Sequence, residues 1–292
     1  MSYKSRFAIA IAIFLWASAF VGIRAGLKGY SPEGLALLRF LIASICMGFV
    51  YFNMSNRSTM KILDVCALMC VGAFGIGVYN ITLNYGELSI SSGMASFIIS
   101  QSPIITVMFA IVFLGERLDI WRVSGFIVSI LGVALITIGE RSGFKWDDSI
   151  AYILIATLAG GLYSILQKPF LKKYHAIEAT TYIIWGAAIF LSIYVPNLQH
   201  DLQHASLSST LTVAYLGVFP AAIAYMAWGY ALAEIPASRA MSFLYFTPFV
   251  ATLLGWIWLG ETPVGTSLMG GLLAIVGVYL VNQSYRKTRL QA

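Results

Sequence analysis

The sequence is short of charge. Of its 292 residues only 10% are Asp, Glu, Lys or Arg, against about 25% in soluble domains. That stock cannot cover the surface of a soluble globule, and disorder would demand far fewer apolar residues. Cysteine and histidine are equally scarce, three of each. Cys46, Cys66 and Cys70 all fall in apolar runs, so a disulfide scaffold is excluded and they read as small apolar residues. His200 and His204 are four apart with Asp201 between them. A metal contact is one reading; a solvated polar loop is the favoured one. The motifs of metalloproteases (H-E-x-x-H) and serine hydrolases (G-x-S-x-G) are missing, and no span centre carries paired Asp. No enzyme, cofactor or metal is therefore expected. The net charge of +6 comes from short loops with no basic helix face, which argues against a nucleic-acid partner.

Apolar residues are what the chain has, at 59%, with 14% aromatic. A helix needs about 20 of them to cross the hydrocarbon of a bilayer. Ten runs qualify: 7–26, 33–52, 62–82, 88–114, 120–139, 149–169, 178–196, 209–231, 236–259 and 265–284. The first follows Lys4 and Arg6 like a signal peptide, yet it is long and feeds straight into a second run, so it reads as a retained helix. With the N-terminus in the cytoplasm, inside loops collect Lys4, Arg6, Arg57, Lys61, Arg117, Arg122, Lys168, Lys172, Lys173, Arg286, Lys287 and Arg289. Outside loops collect Arg24, Lys28, Arg141 and Lys145. The excess of basic residues on one side sets the orientation, and ten crossings return the C-terminus to the cytoplasm.

A shift of 145 residues lays the second half on the first. Leu114-Gly115-Glu116 falls on Leu259-Gly260-Glu261, Pro103 on Pro248, Gly125 on Gly270, Gly132 on Gly277 and Glu33 on Glu178. Residues 1–145 and 146–292 are thus expected to be two five-helix units forming one membrane-embedded body. Five is odd, so the second unit enters from the opposite side. Inverted repeats of this kind recur in secondary transporters, with the substrate near midplane.

These residues resemble the EamA family of the drug/metabolite transporter superfamily. The resemblance rests on the run Trp16 to Phe20, on Arg39-Phe40, and on the twice-occurring Pro with Leu-Gly-Glu eleven residues later. It covers nearly the whole chain in two copies, although Gly161 and Ile184 stand at the positions equivalent to Trp16 and Arg39. It implies an all-α polytopic fold of ten transmembrane helices in two inverted repeats. It also implies export of amino acids, drugs or other metabolites through a cavity lined by the first, third, fourth, sixth, eighth and ninth helices. The expected function is an inner-membrane secondary transporter of a small, amino-acid-like solute. A lipid-linked or nucleotide sugar is the alternative cargo, and an intramembrane enzyme the alternative class. The expected partners are the solute and the lipid bilayer; the oligomeric state stays open, with a monomer an acceptable unit.

Polar groups inside a bilayer face a cavity or a partner helix. Their spacing nominates Trp16 and Ser18 in the first span, and Tyr79, Asn80 and Asn84 in the third. The fourth adds Ser96 and Ser100, on a stripe begun by Ser92, and Gln101. The sixth adds Tyr163 and Gln167, the eighth Tyr225 and Trp228, and the ninth Ser242 and Tyr245. The expectation is an uncharged, aromatic-rich cavity. Serines also bond the backbone one turn back or let helices approach, so packing is their second reading. Tyr51, Trp121, Trp146, Trp256 and Trp258 near span ends read as interface anchors. Pro103 and Pro248 are read as hinges inside helices, with a static kink as the alternative. Arg39 is expected to snorkel to the outer interface or to play a structural role, with anchoring a substrate carboxylate as the alternative. Glu116 and Glu261 are expected to cap or pair near loops. With Glu confined to ends and loops, a buried proton relay is not expected.

Overall fold

The computed structural model describes residues 1–89, 92–114, 119–139, 149–259 and 265–290, and every regular element in them is helical. The first stretch carries α1 (Tyr3–Gly26), α2 (Pro32–Phe52), α3 (Ile62–Cys70) and α4 (Val78–Ser89). Next come α5 (Ser92–Ile99), α6 (Ser102–Leu114) and α7 (Ile120–Gly139). The second half holds α8 (Ser149–Leu166), α9 (Lys168–Leu171), α10 (Ala176–Leu191), α11 (Val195–His204), α12 (Leu207–Leu216) and α13 (Ala224–Glu234). It closes with α14 (Ala237–Ser242), α15 (Thr247–Leu259) and α16 (Gly265–Leu290). A π-helical stretch, Val71–Gly77, joins α3 to α4, and another, Gly217–Ile223, joins α12 to α13. Among the described residues six continuous runs are long and apolar enough to cross a membrane, and shorter apolar helices lie at Ala95–Val107, Val123–Gly132 and Leu268–Val281. Ile45, Phe49, Leu63, Phe74, Ile127, Ile189 and Leu272 point outward and are exposed. Apolar side chains on the outside of helices that are apolar on the inside need lipid as solvent. The chain is an all-helical polytopic membrane protein.

The helix starts follow local chemistry. Ser31 caps α2, its Oγ accepting from the Gly34 N–H, with Pro32 in the first turn where a missing N–H costs nothing. Asp201 binds this cap from outside, accepting from the Ser31 N–H at 2.9 Å and the Ser31 Oγ at 2.6 Å. His200 and Asp201 therefore sit on a short helix, α11, instead of the loop expected from the sequence. At α10, His175 and Glu178 form a reciprocal capping box. Lys168, expected in an inside loop, is buried and donates to the carbonyls of Leu232 and Ile235 at the end of α13, where a cation meets the helix dipole.

The two halves pack in exchanged pairs. Helix α1 lies on α13, while α8, which follows it by 145 residues, lies on α4, the counterpart of α13. The stretch Val71–Gly77 packs on α10, and Gly217–Ile223 packs on α2. Helices α7 and α16 form the most extensive helix pair, and their glycines meet each other. A Cβ on Gly132 would sit 2.6 Å from the Gly270 carbonyl oxygen, and one on Gly277 would sit 2.5 Å from the Gly125 carbonyl oxygen. Only glycine allows backbones that close.

The fourth and ninth apolar runs are each broken. Helix α5 ends at Ile99, Ser100 and Gln101 form a turn, and α6 restarts at Ser102. In the ninth run α14 gives way to a 3-10 turn, Phe243–Phe246, before α15. Pro103 and Pro248 thus occupy the second position of a new helix, not the interior of a kinked one. That is where proline's missing donor is harmless, and it explains why the chain breaks just ahead of each. Glu116, Glu261, Arg117, Arg141, Lys145 and Trp146 lie outside the described residues, as do the side chains of Ser92, Arg122, Trp256, Trp258, Arg286, Lys287 and Arg289.

Candidate functional site

The helix breaks and the π-helical stretch Val71–Gly77 converge on one cavity, with about 770 Å³ of empty space including its open mouth. Helix α1 contributes Trp16, Ala19, Phe20 and Ile23; α4 and the stretch before it contribute Gly75, Tyr79 and Leu83. The broken fourth run adds Ser96, Ile99, Ser100 and Ser102, and the broken ninth adds Met241, Leu244 and Thr247. From α8 come Gly160, Tyr163 and Ser164, and from α13 Tyr225 and Trp228. Arg39 enters from α2.

Four aromatic rings form a cage at the α1 wall. The Trp16 ring stands 5.3 Å from Tyr225 at 68° and 5.2 Å from Trp228, and Tyr163 meets Tyr225 edge-on at 5.7 Å. Edge-to-face pairs of this kind are favourable beyond the area they bury. The Trp16 Nε1 donates to the Pro220 carbonyl at 3.1 Å. Pro220 lies within the second π-helical stretch, and such bulges release carbonyls for partners outside the helix.

Arg39 does not snorkel. It is 3% exposed. Its Nη1 donates to Asn80 Oδ1 at 2.9 Å, and its Nε has no partner. The guanidinium stands 5.6 Å from the Phe40 ring. Asn80 is held in turn by its own Nδ2, which donates to the Ile76 carbonyl at 2.9 Å. One and two turns further along α4, Asn84 donates to the Pro32 carbonyl, and Glu87 is 2% exposed with both carboxylate oxygens unpartnered. Asn80, Asn84 and Glu87 thus form a buried polar stripe between Arg39 and the end of the helix. The third run continues past residue 82 to Ser89, so Glu87 is part of a spanning helix instead of the loop in which the sequence placed it.

The structure separates the nominated cavity residues into two groups. Trp16, Tyr79, Ser96, Ser100, Tyr163, Tyr225 and Trp228 border the cavity. Asn80 stands behind it, supporting Arg39. Asn84 faces α2, and Ser18 bonds Tyr215 across the α1–α12 contact at 2.7 Å. Gln101 folds back on the turn, donating to the Phe97 carbonyl and to Ser100 Oγ. Gln167 is buried beside Tyr163 with its amide unpartnered. Ser242 bonds the Arg239 carbonyl, and Tyr245 packs in a second core with Val107 and Phe126. Ser100 carries both readings given to the serines: it borders the cavity, and its Oγ donates to the Phe97 carbonyl at 2.6 Å. Of the expected interface anchors, Trp121 is exposed, whereas Tyr51 is buried against Tyr182 and Trp185.

Sequence spacing did not place Ser102, Thr247 or Leu244 at the cavity, and it left substrate anchoring as the second reading of Arg39. A signal was present for two of them: Ser102 precedes Pro103 and Thr247 precedes Pro248, and a polar residue just before a proline marks a helix start. Arg39 gave no such signal, because a cation six residues into a span is placed only by what packs around it.

The model of the EamA-like transporter family matches residues 4–138 and again 149–283. The chain belongs to this family. Among its relatives is an uncharacterized transporter of Bacillus subtilis, YdfC, 37% identical over 92% of this chain and 88% of that one. A probable terminal-alkyne amino-acid exporter of Streptantibioticus cattleyicolor is 34% identical over 99% and 97%. A probable amino-acid metabolite efflux pump of Salmonella typhimurium is 23% identical over 99% and 98%. A solved crystal structure covers the whole of both chains with a TM-score of 0.79 at 18% identity, which fixes the fold alone. The cavity described above is therefore that of an EamA-like transporter.

Proposed function

We propose that this EamA-like transporter is a secondary carrier that moves an amino-acid-like solute out of a bacterial cell across the inner membrane by alternating access. The observation that carries the reading is the cavity itself. Its walls come from both halves of the chain, and they combine aromatic faces with one buried cation. Aromatic rings accept an apolar side chain or an ammonium group, and a guanidinium accepts a carboxylate. The naming of two relatives for amino-acid export supports the cargo class and the direction.

In this reading residues 1–145 and 146–292 are inverted five-helix repeats, with both chain termini cytoplasmic. Support comes from the exchanged packing. Gly125 meets Gly277 and Gly132 meets Gly270, so each glycine touches the counterpart of the other, as two-fold related surfaces do. Rocking one half on the other would pivot at the two breaks, with Pro103 and Pro248 starting the moving helix segments. The test is counterflow in liposomes containing the purified protein, with labelled amino acids, amines and nucleosides, with and without a pH gradient. Saturable exchange of an amino acid is expected. Movement of lipid-linked sugars alone would overturn the reading.

A further inference from the structure

We propose that Arg39 binds the carboxylate of the transported solute and so sets the cargo class as monocarboxylates, zwitterionic amino acids included. This rests on the carrier reading above and adds the residue that selects. Arg39 is the one formally charged side chain among the described residues lining the cavity. Among the described residues the ion pairs are Lys173 with Asp64 and His200 with Asp201, so no acidic oxygen lies within ion-pair distance of Arg39. A buried cation without such a partner costs several kcal/mol of desolvation, about what a paired anion restores.

Its geometry is that of a prepared site. Asn80 takes the Nη1 arm and is itself fixed by the Ile76 carbonyl, so the guanidinium plane is set before any ligand arrives. The Nε edge stays unpartnered, and that edge pairs side-on with the two oxygens of a carboxylate. Among the described residues the remaining walls are aromatic, aliphatic or hydroxyl-bearing and carry no other formal charge. A phosphate dianion would bring a second charge with no second cation among the described lining residues to meet it. Glu87, unpartnered in the same polar stripe, draws on Arg39 from beyond ion-pair distance, and an incoming carboxylate takes over that role directly.

The test measures competition against labelled L-phenylalanine counterflow in liposomes, using L-phenylalanine, 3-phenylpropionate and phenethylamine. In the wild type the two carboxylates are expected to compete and the amine to compete at least about tenfold more weakly. Arg39→Gln should raise the half-inhibiting concentration of both carboxylates by about tenfold or more and leave phenethylamine within about twofold. Arg39→Lys, which keeps the charge but loses the fork, should fall between. Should Arg39→Gln not yield folded protein, the wild-type ranking and Arg39→Lys decide. Phenethylamine competing as well as phenylalanine, or carboxylate competition unchanged in either variant, overturns the anchor and leaves the carrier reading standing. No saturable counterflow of phenylalanine or of any other labelled amino acid in the wild type overturns both.

Discussion

The two halves share a scaffold and differ in chemistry. Moved by 145 residues, Arg39 falls on Ile184, Asn80 on Tyr225, Asn84 on Gly229 and Glu87 on Leu232. The first half buries a cation, two amides and an acid where the second has aliphatic or aromatic residues and a glycine. Elsewhere the halves agree closely: glycine meets glycine along α7 and α16, and the fourth and ninth runs break just before Pro103 and Pro248. Packing is duplicated because both halves must fit the same partner surface. At these four positions charge is not duplicated, because each further buried ion costs several kcal/mol of desolvation.

The largest effect is expected at Trp228, 1% exposed and packed on Trp16. Trp228→Ala should lower stability by about 3–5 kcal/mol, read from unfolding in detergent, and abolish flux. Next come Gly132→Ala and Gly277→Ala. Each places a methyl against a carbonyl oxygen of the facing helix and should cost about 1–3 kcal/mol. Because the two sites are counterparts, their losses should match; a large loss at one with none at the other would break the equivalence of the halves. Glu87→Leu gives the first half the residue of the second. Removing an unpartnered buried acid should leave the unfolding free energy unchanged or raise it by about 1 kcal/mol or more, while slowing phenylalanine counterflow. A marked fall in stability would make Glu87 structural. The smallest effect is expected from Tyr215→Phe, which removes the bond to Ser18 away from the cavity. It should cost about 0.5–1.5 kcal/mol and spare flux.

Much of this was readable from the sequence because lipid simplifies the code. Apolar length alone marks spans such as those at Tyr3–Gly26 and Pro32–Phe52, and the shared shift of 145 exposes the repeat. Cage residues such as Trp16 and Tyr225 were legible because an amphipathic ring inside a span needs a place for its polar tip. Helix ends were less legible. The third run hides Glu87 seven residues beyond Asn80 on a helix that hydropathy alone would stop earlier, and the π-helical stretches leave no periodic mark beyond Gly72, Gly75 and Gly77. Amides were the hardest to place. Asn80, Asn84 and Gln101 bond neighbouring backbone or Arg39, a choice settled by packing and not by spacing.

The central claim is that the cavity opens alternately to the two sides of the membrane. Ser100 borders it at the break between α5 and α6. With Cys46, Cys66 and Cys70 replaced, Ser100→Cys in liposomes should react with a membrane-impermeant maleimide applied from either side, and L-phenylalanine should slow both reactions. Labelling from one side only would make the cavity a closed-end pocket and contradict the account.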